Sequence, residues 1–178
     1  FQLTLLLAVS FGVLFMLASI GLYNFVSINQ RTVRLQSALL LNIIGCTVVV
    51  MMFTIQLALF SEGKYTGTDV SKELAKHTFH LVNLVQLSLD IVWDVFISMG
   101  TILFASSMFK HPGLGKTIGT FGALIGALLL FNNIYYFPVP PAESGSIDFG
   151  PFVALWYLAV TIMMIRSLKW AKEKLNPA

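Results

Sequence analysis

The stretch that decides the fold is Phe79 to Phe109, FHLVNLVQLSLDIVWDVFISMGTILFASSMF, an apolar run that nevertheless holds two aspartates, Asp90 and Asp94. It is long enough to cross a bilayer as a helix. At about 100° per residue, Glu73, Lys76, His80, Asn83, Asp90, Asp94, Ser98 and Thr101 gather within roughly a 100° arc. Phe79, Leu81, Val85, Leu89, Val92, Phe96 and Met99 lie mostly outside it. A carboxylate facing lipid costs on the order of several kcal/mol. The polar stripe is therefore expected to face other helices, a water-filled cavity or a partner protein, and the rest of the chain is read by what it can offer that stripe.

Around this stretch the composition is that of a membrane protein: 178 residues, 57% hydrophobic and 11% charged, with a mean hydropathy of +0.83. About 20 apolar residues span the hydrocarbon, so the length allows five or six crossings and leaves no room for a separate soluble domain. We expect an all-α, multi-pass transmembrane helix bundle, a single domain over 1–178. Five spans are expected, at about 3–26, 35–60, 79–109, 116–137 and 151–168, with an outer polar loop at about 61–78. If the helix that holds the acids begins near Val70, it is roughly 60 Å long and must project from the membrane or break. The formal charge of +3 contains no basic block of the kind that binds nucleic acid. The lone Cys46 sits in an apolar run, which excludes a disulfide framework and a CxxC pair. The first run is too long for a signal-peptide core and lacks a basic leader, so it reads as a true span with an upstream segment expected before it.

Gly115, Gly119, Gly122 and Gly126 are spaced four, three and four apart and form a face that permits close helix approach. The segment PVPPAESGSIDFG (138–150) reads as a loop, and no proline falls inside an expected span, which weakens a broken-helix transporter reading. Basic and neutral or acidic connections alternate: Arg31 and Arg34, then a balanced segment, then Lys110 and Lys116, then Glu143 and Asp148, then a basic tail. By the positive-inside tendency the C-terminus is expected in the cytoplasm and the 138–150 loop outside.

Asp90 and Asp94 are neighbours at i,i+4, and two adjacent carboxylates in low dielectric do not both ionise cheaply, so at least one is expected to hold a proton. Gln56, Asn83, Gln86, Asn132, Asn133 and Tyr136 are the polar groups expected at similar depth, together a candidate ligand- or proton-binding pocket open to the outer side. The competing reading is a buried hydrogen-bond network or a docking face for another subunit. Glu73, His77 and His80 have spacing compatible with a zinc or copper ligand set, though a solvated helix end explains them as well. The remaining histidine, His111, is expected at the opposite membrane face, so a bis-histidine haem is not expected. No GxSxG, HExxH, P-loop or GxGxxG occurs, the two acids share one helix rather than two as an aspartyl protease needs, and no span holds a Schiff-base lysine. The residues assign no cofactor.

The order of elements resembles a broad group of uncharacterised bacterial six-helix integral membrane proteins with no assigned function. The resemblance covers Tyr23 to Lys169 and rests on NQRTVRLQ (29–36), the Trp93-Asp94 helix, HPGLGK (111–116) and ALWYLAV (154–160). It implies an N-terminal helix upstream and a bacterial inner membrane, but carries over no functional residue. The expectation is a non-enzymatic protein, a small accessory subunit or sensor-like module. Asp94 would be its proton-holding donor, Asp90 the charged partner, and Gln56, Asn132 and Asn133 the orienting groups. The alternatives are a proton- or cation-coupled transporter and a membrane enzyme acting on lipid or quinone. Expected partners are the lipid bilayer and other membrane subunits or a second copy of the chain, with no nucleic acid.

Overall fold

A computed structural model describes residues 2–65 and 72–176, leaving out the side chains of 2, 5, 8, 60–65, 72, 73 and 75. Among the described residues every regular element is a helix: α1 (Gln2–Ser27), α2 (Val33–Tyr65), α3 (Lys72–Met108), α4 (Gly115–Tyr136), α5 (Gly150–Arg166) and α6 (Leu168–Leu175). The chain is an all-α bundle with the form of a multi-pass membrane protein. α1 to α4 each contain a segment long and apolar enough to cross a membrane, and α5 reaches that length together with α6 across a bend of 56°.

The helix boundaries follow local chemistry. Thr32 starts α2 by accepting the Leu35 N–H on its hydroxyl at 3.2 Å. α3 stops at the His111-Pro112-Gly113 turn, where the His111 carbonyl accepts the Gly115 N–H at 2.9 Å. Gly115 has φ +77°, with open space where a Cβ would stand. It serves the turn rather than the close-packing face on which the sequence had placed it. Asp148 accepts the Gly150 N–H at 2.7 Å at the start of α5, and Pro151 fills the first turn, where no intrahelical donor is needed. The expected 61–78 loop is shorter than its polarity suggested. α2 runs on to Tyr65 and α3 begins at Lys72, because charged residues end a lipid-facing run without ending a helix.

α3 is the centre of the bundle. It packs along α2 on one side and α4 on the other, α1 packs on α2, and α5 rests more lightly on α4. α1 and α5 are not among the closely packed pairs. The other three glycines of α4 do what their spacing predicts. A Cβ on Gly119 would stand 2.6 Å from the Ala105 carbonyl oxygen, and one on Gly126 would stand 3.1 Å from that of Ser98. Gly122 lies beneath Trp156, whose indole N–H donates to the Ile118 carbonyl at 2.8 Å. The bare backbone thus lets α3 approach α4 and seats the α5 tryptophan.

The core is uneven along the bundle. Leu22, Phe25, Leu35, Phe104, Met108, Trp156 and Val160 form a dense cluster in the half that contains the α3–α4 turn. The cluster nearer the acids is small: Ile97, Ile125, Leu129 and Val153. At the dense end the His111 ring packs against Phe25 and Trp170, with centroids 5.1 and 4.8 Å away. Ser167 at the bend donates to the Gly113 carbonyl at 3.1 Å, which ties α6 to the same turn. Arg31, Arg34, Lys110, Lys116, Arg166, Lys169, Lys172 and Lys174 therefore share one end of the molecule, against a single carboxylate there, Glu173.

Candidate functional site

The polar stripe of α3 enters the bundle as it descends. Lys76, His77 and His80 are exposed, Asn83, Asp90 and Asp94 are half-buried, Gln86 is buried, and Ser98 and Thr101 have no exposure. Polar atoms this deep need partners: Ser98 donates to the Asp94 carbonyl within α3, while Asp94 and Thr101 find theirs on other helices. Asn133 of α4 is fully buried. Its amide Nδ2 donates to Asp94 Oδ2 at 3.0 Å and to the Leu129 carbonyl at 3.0 Å, so α4 fixes one carboxylate in place. Asn133 Oδ1 has no hydrogen-bond partner among the described residues.

Because the core thins here, the acids border open volume instead of packed side chains. One cavity of about 450 Å³ holds both Asp90 and Asp94 on its wall, within the usual range for small-ligand sites. Its other walls are Phe11 and Phe15 of α1, Trp93 of α3 and Tyr157 of α5. Pro140, Pro141 and Asp148 of the α4–α5 loop complete it. A second cavity, of about 540 Å³, lies on the α2 side and brings Gln56, Asn83 and Gln86 to Asp90. Asp90 and Trp93 border both cavities, while Asp94 borders only the first.

Beneath the first cavity a buried hydrogen-bond network joins four helices. Asn42 of α2 donates to Ser19 of α1 at 3.1 Å and to the Tyr157 hydroxyl at 2.7 Å, and Thr101 of α3 donates to the same hydroxyl at 3.2 Å. Gly100 is needed beside it, because the Asn42 carboxamide occupies the space a Cβ would take. Tyr157 thus offers its ring to the cavity while its hydroxyl is held by the bundle.

A separate polar group lies at the basic end. His111 is 1% exposed, and its Nδ1 accepts the Gly113 N–H at 3.2 Å, which leaves the ring proton of the neutral form on Nε2. Nε2 has no partner in hydrogen-bond geometry among the described residues. Burial holds this imidazole below the ordinary histidine range, with the Phe25 carbonyl opposing the shift.

The residues expected from sequence divide into three groups. Asp90, Asp94, Gln56, Asn83 and Gln86 border the cavities, and Asn133 stands behind Asp94. Asn132 and Tyr136 line neither: Asn132 donates to the Ile147 carbonyl at 2.6 Å and so holds the loop, and Tyr136 packs edge to face on Tyr135 at 5.0 Å. Their role moves from ligand contact to support, because one residue's step along α4 carries Asn132 off the face that Asn133 presents to α3. The metal expectation at Glu73, His77 and His80 gains no support: the Glu73 side chain lies outside the described residues, and no group of three metal-ligating side chains occurs among those described.

Sequence reasoning missed Phe11, Phe15, Trp93 and Asp148 as cavity residues. Phe11 and Phe15 are one helical turn apart, a spacing that could have marked a shared face, whereas the approach of Asp148 depends on how the loop folds back. No protein-family model, curated protein or solved structure matches the chain.

Proposed function

We propose that this chain is a non-enzymatic integral membrane module of the bacterial inner membrane, an accessory subunit or sensor-like protein. Its ligand pocket is the outer-half cavity around Asp90 and Asp94. The observation that carries the reading is that both costly carboxylates border one cavity, bounded by residues of the 138–150 loop, with Asn133 steadying Asp94. The gathering of eight Lys and Arg side chains at the far end supports a cytoplasmic C-terminus and an outward-facing pocket.

The transporter alternative has less to stand on. Between this cavity and the polar recess beside Arg34 and Lys110 lie the Asn42 network and the dense cluster of Leu35, Phe104 and Met108. That arrangement offers no continuous polar path between the two ends.

The test is purification of the tagged full-length protein from its native membrane, with mass spectrometry of everything retained. A stoichiometric subunit or a retained small molecule, the latter lost when Val153→Trp fills the cavity, is expected. Coupled ion uptake in vesicles, abolished by Asp94→Asn at normal expression, would overturn the accessory reading in favour of transport.

A further inference from the structure

We propose that the first cavity is a site for an organic cation with an apolar body, an amine or quaternary ammonium, which reaches it along the seam between α1 and α5; this rests on the reading of the Asp90–Asp94 face as a ligand pocket. Two features independent of each other converge on that chemistry. The first is charge: Asp90, Asp94 and Asp148 all border the cavity, and among the described residues no Lys, Arg or His does. An anionic ligand would meet repulsion with nothing to offset it, and a neutral apolar one would offer no charge to the carboxylates, whose partners here are the neutral donors Asn133 on Asp94 and the Gly150 N–H on Asp148.

The second is the aromatic wall. Phe15 and Trp93 stand 5.9 Å apart at 65°, Phe11 and Trp93 6.2 Å apart at 66°, and Phe15 and Tyr157 4.8 Å apart at 79°. Rings clustered in this way give the cavity an aromatic wall, the kind of surface that attracts ammonium groups once they are desolvated. The Tyr157 hydroxyl is already engaged by Asn42 and Thr101, so its ring is what it offers to a ligand. A wall of this kind also accepts the alkyl or aryl part of the molecule.

The route follows from packing. α1 and α5 make little backbone contact and meet at Phe15 and Tyr157, whose rings stand 4.8 Å apart and belong to the cavity wall itself. A molecule dissolved in the bilayer meets this seam sideways. The uniform acidity favours a net cation over a zwitterionic lipid headgroup, whose phosphate would meet the same carboxylates.

The experiment is isothermal titration of the full chain in neutral maltoside micelles with four probes. These are benzyltrimethylammonium, its uncharged carbon isostere neopentylbenzene, benzylsulfonate and phosphocholine. Saturable binding of benzyltrimethylammonium is expected, with each other probe weaker by roughly tenfold or more. Asp94→Asn, which keeps an acceptor for Asn133, and Asp148→Asn are each expected to weaken it, while a matched thermal melt shows that they remain folded. Binding of neopentylbenzene as tight as that of the cation, and lost in Val153→Trp, would overturn the cation assignment but leave the pocket standing. Preferred binding of phosphocholine would assign the site to lipid headgroups and overturn the net-cation choice. No binding of any probe to the folded wild-type protein would overturn both the cation site and the pocket.

Discussion

Removing one oxygen, in Tyr157→Phe, tests how the cavity floor is held. The hydroxyl accepts from Asn42 at 2.7 Å and from Thr101 at 3.2 Å, and the ring itself stays in the wall. Interhelical hydrogen bonds in membrane proteins are worth about 0.6 kcal/mol on average and about 1.7 at most, because the unfolded chain also finds partners in the membrane. Losing two such bonds, one from the fully buried Asn42 and one from the fully buried Thr101, is therefore expected to cost about 1–2 kcal/mol, roughly a 5- to 30-fold fall in the folded-to-unfolded ratio. Equilibrium unfolding in mixed micelles with increasing SDS measures it. A cycle that combines Tyr157→Phe with Asn42→Ala isolates the shorter bond, for which a coupling of about 1 kcal/mol is expected. A loss below about 0.3 kcal/mol, with no coupling, would refute the claim that the hydroxyl ties α2, α3 and α5 together.

Three further perturbations follow from the packing and the titrating groups. Gly122→Ala drives a methyl into the Trp156 indole and should break its bond to the Ile118 carbonyl; a loss of about 1–3 kcal/mol and an altered tryptophan emission spectrum are expected. Gly119→Ala should cost at least as much, because besides the Phe109 ring the methyl meets the Ala105 backbone oxygen at 2.6 Å, which cannot swing aside as a side chain can. His111 prefers its neutral form in the folded chain more than in the unfolded one, so its contribution to stability is complete above the unfolded value of about 6.5. That contribution should be lost progressively as pH falls from there toward the lower folded value, and His111→Gln should flatten the profile in denaturation curves taken between about pH 5 and 8.

Much of the architecture is legible in residue spacing because membranes impose simple rules on it. The arc from Asn83 to Thr101 marks the inward face of α3, and Gly119, Gly122 and Gly126 mark the inward face of α4. Hydropathy reports where lipid begins, which is why the polar ends of α2 and α3, helical to Tyr65 and from Lys72, read as loop. The site itself is only half visible. Asp90 and Asp94 stand out because acids are rare in such surroundings, whereas Tyr157 and Asn42 are 115 positions apart and meet only through the fold. That Asn133 and not Asn132 reaches Asp94 depends on one helical step of 100°, finer than a boundary drawn from composition can resolve.

The central claim, that the two acids border one shared cavity, is tested most directly by thiol chemistry at Val153, a cavity residue only 3% exposed. In a Cys46→Ala background, Val153→Cys is treated in neutral micelles with a trimethylammonium thiosulfonate and with its sulfonate counterpart, and both rates are followed by mass spectrometry. With each rate divided by the same reagent's rate on a small free thiol, modification should be faster with the cationic reagent by about tenfold or more, and Asp90→Asn combined with Asp94→Asn should narrow the gap. Equal normalised rates, or no modification by either reagent, would contradict the account.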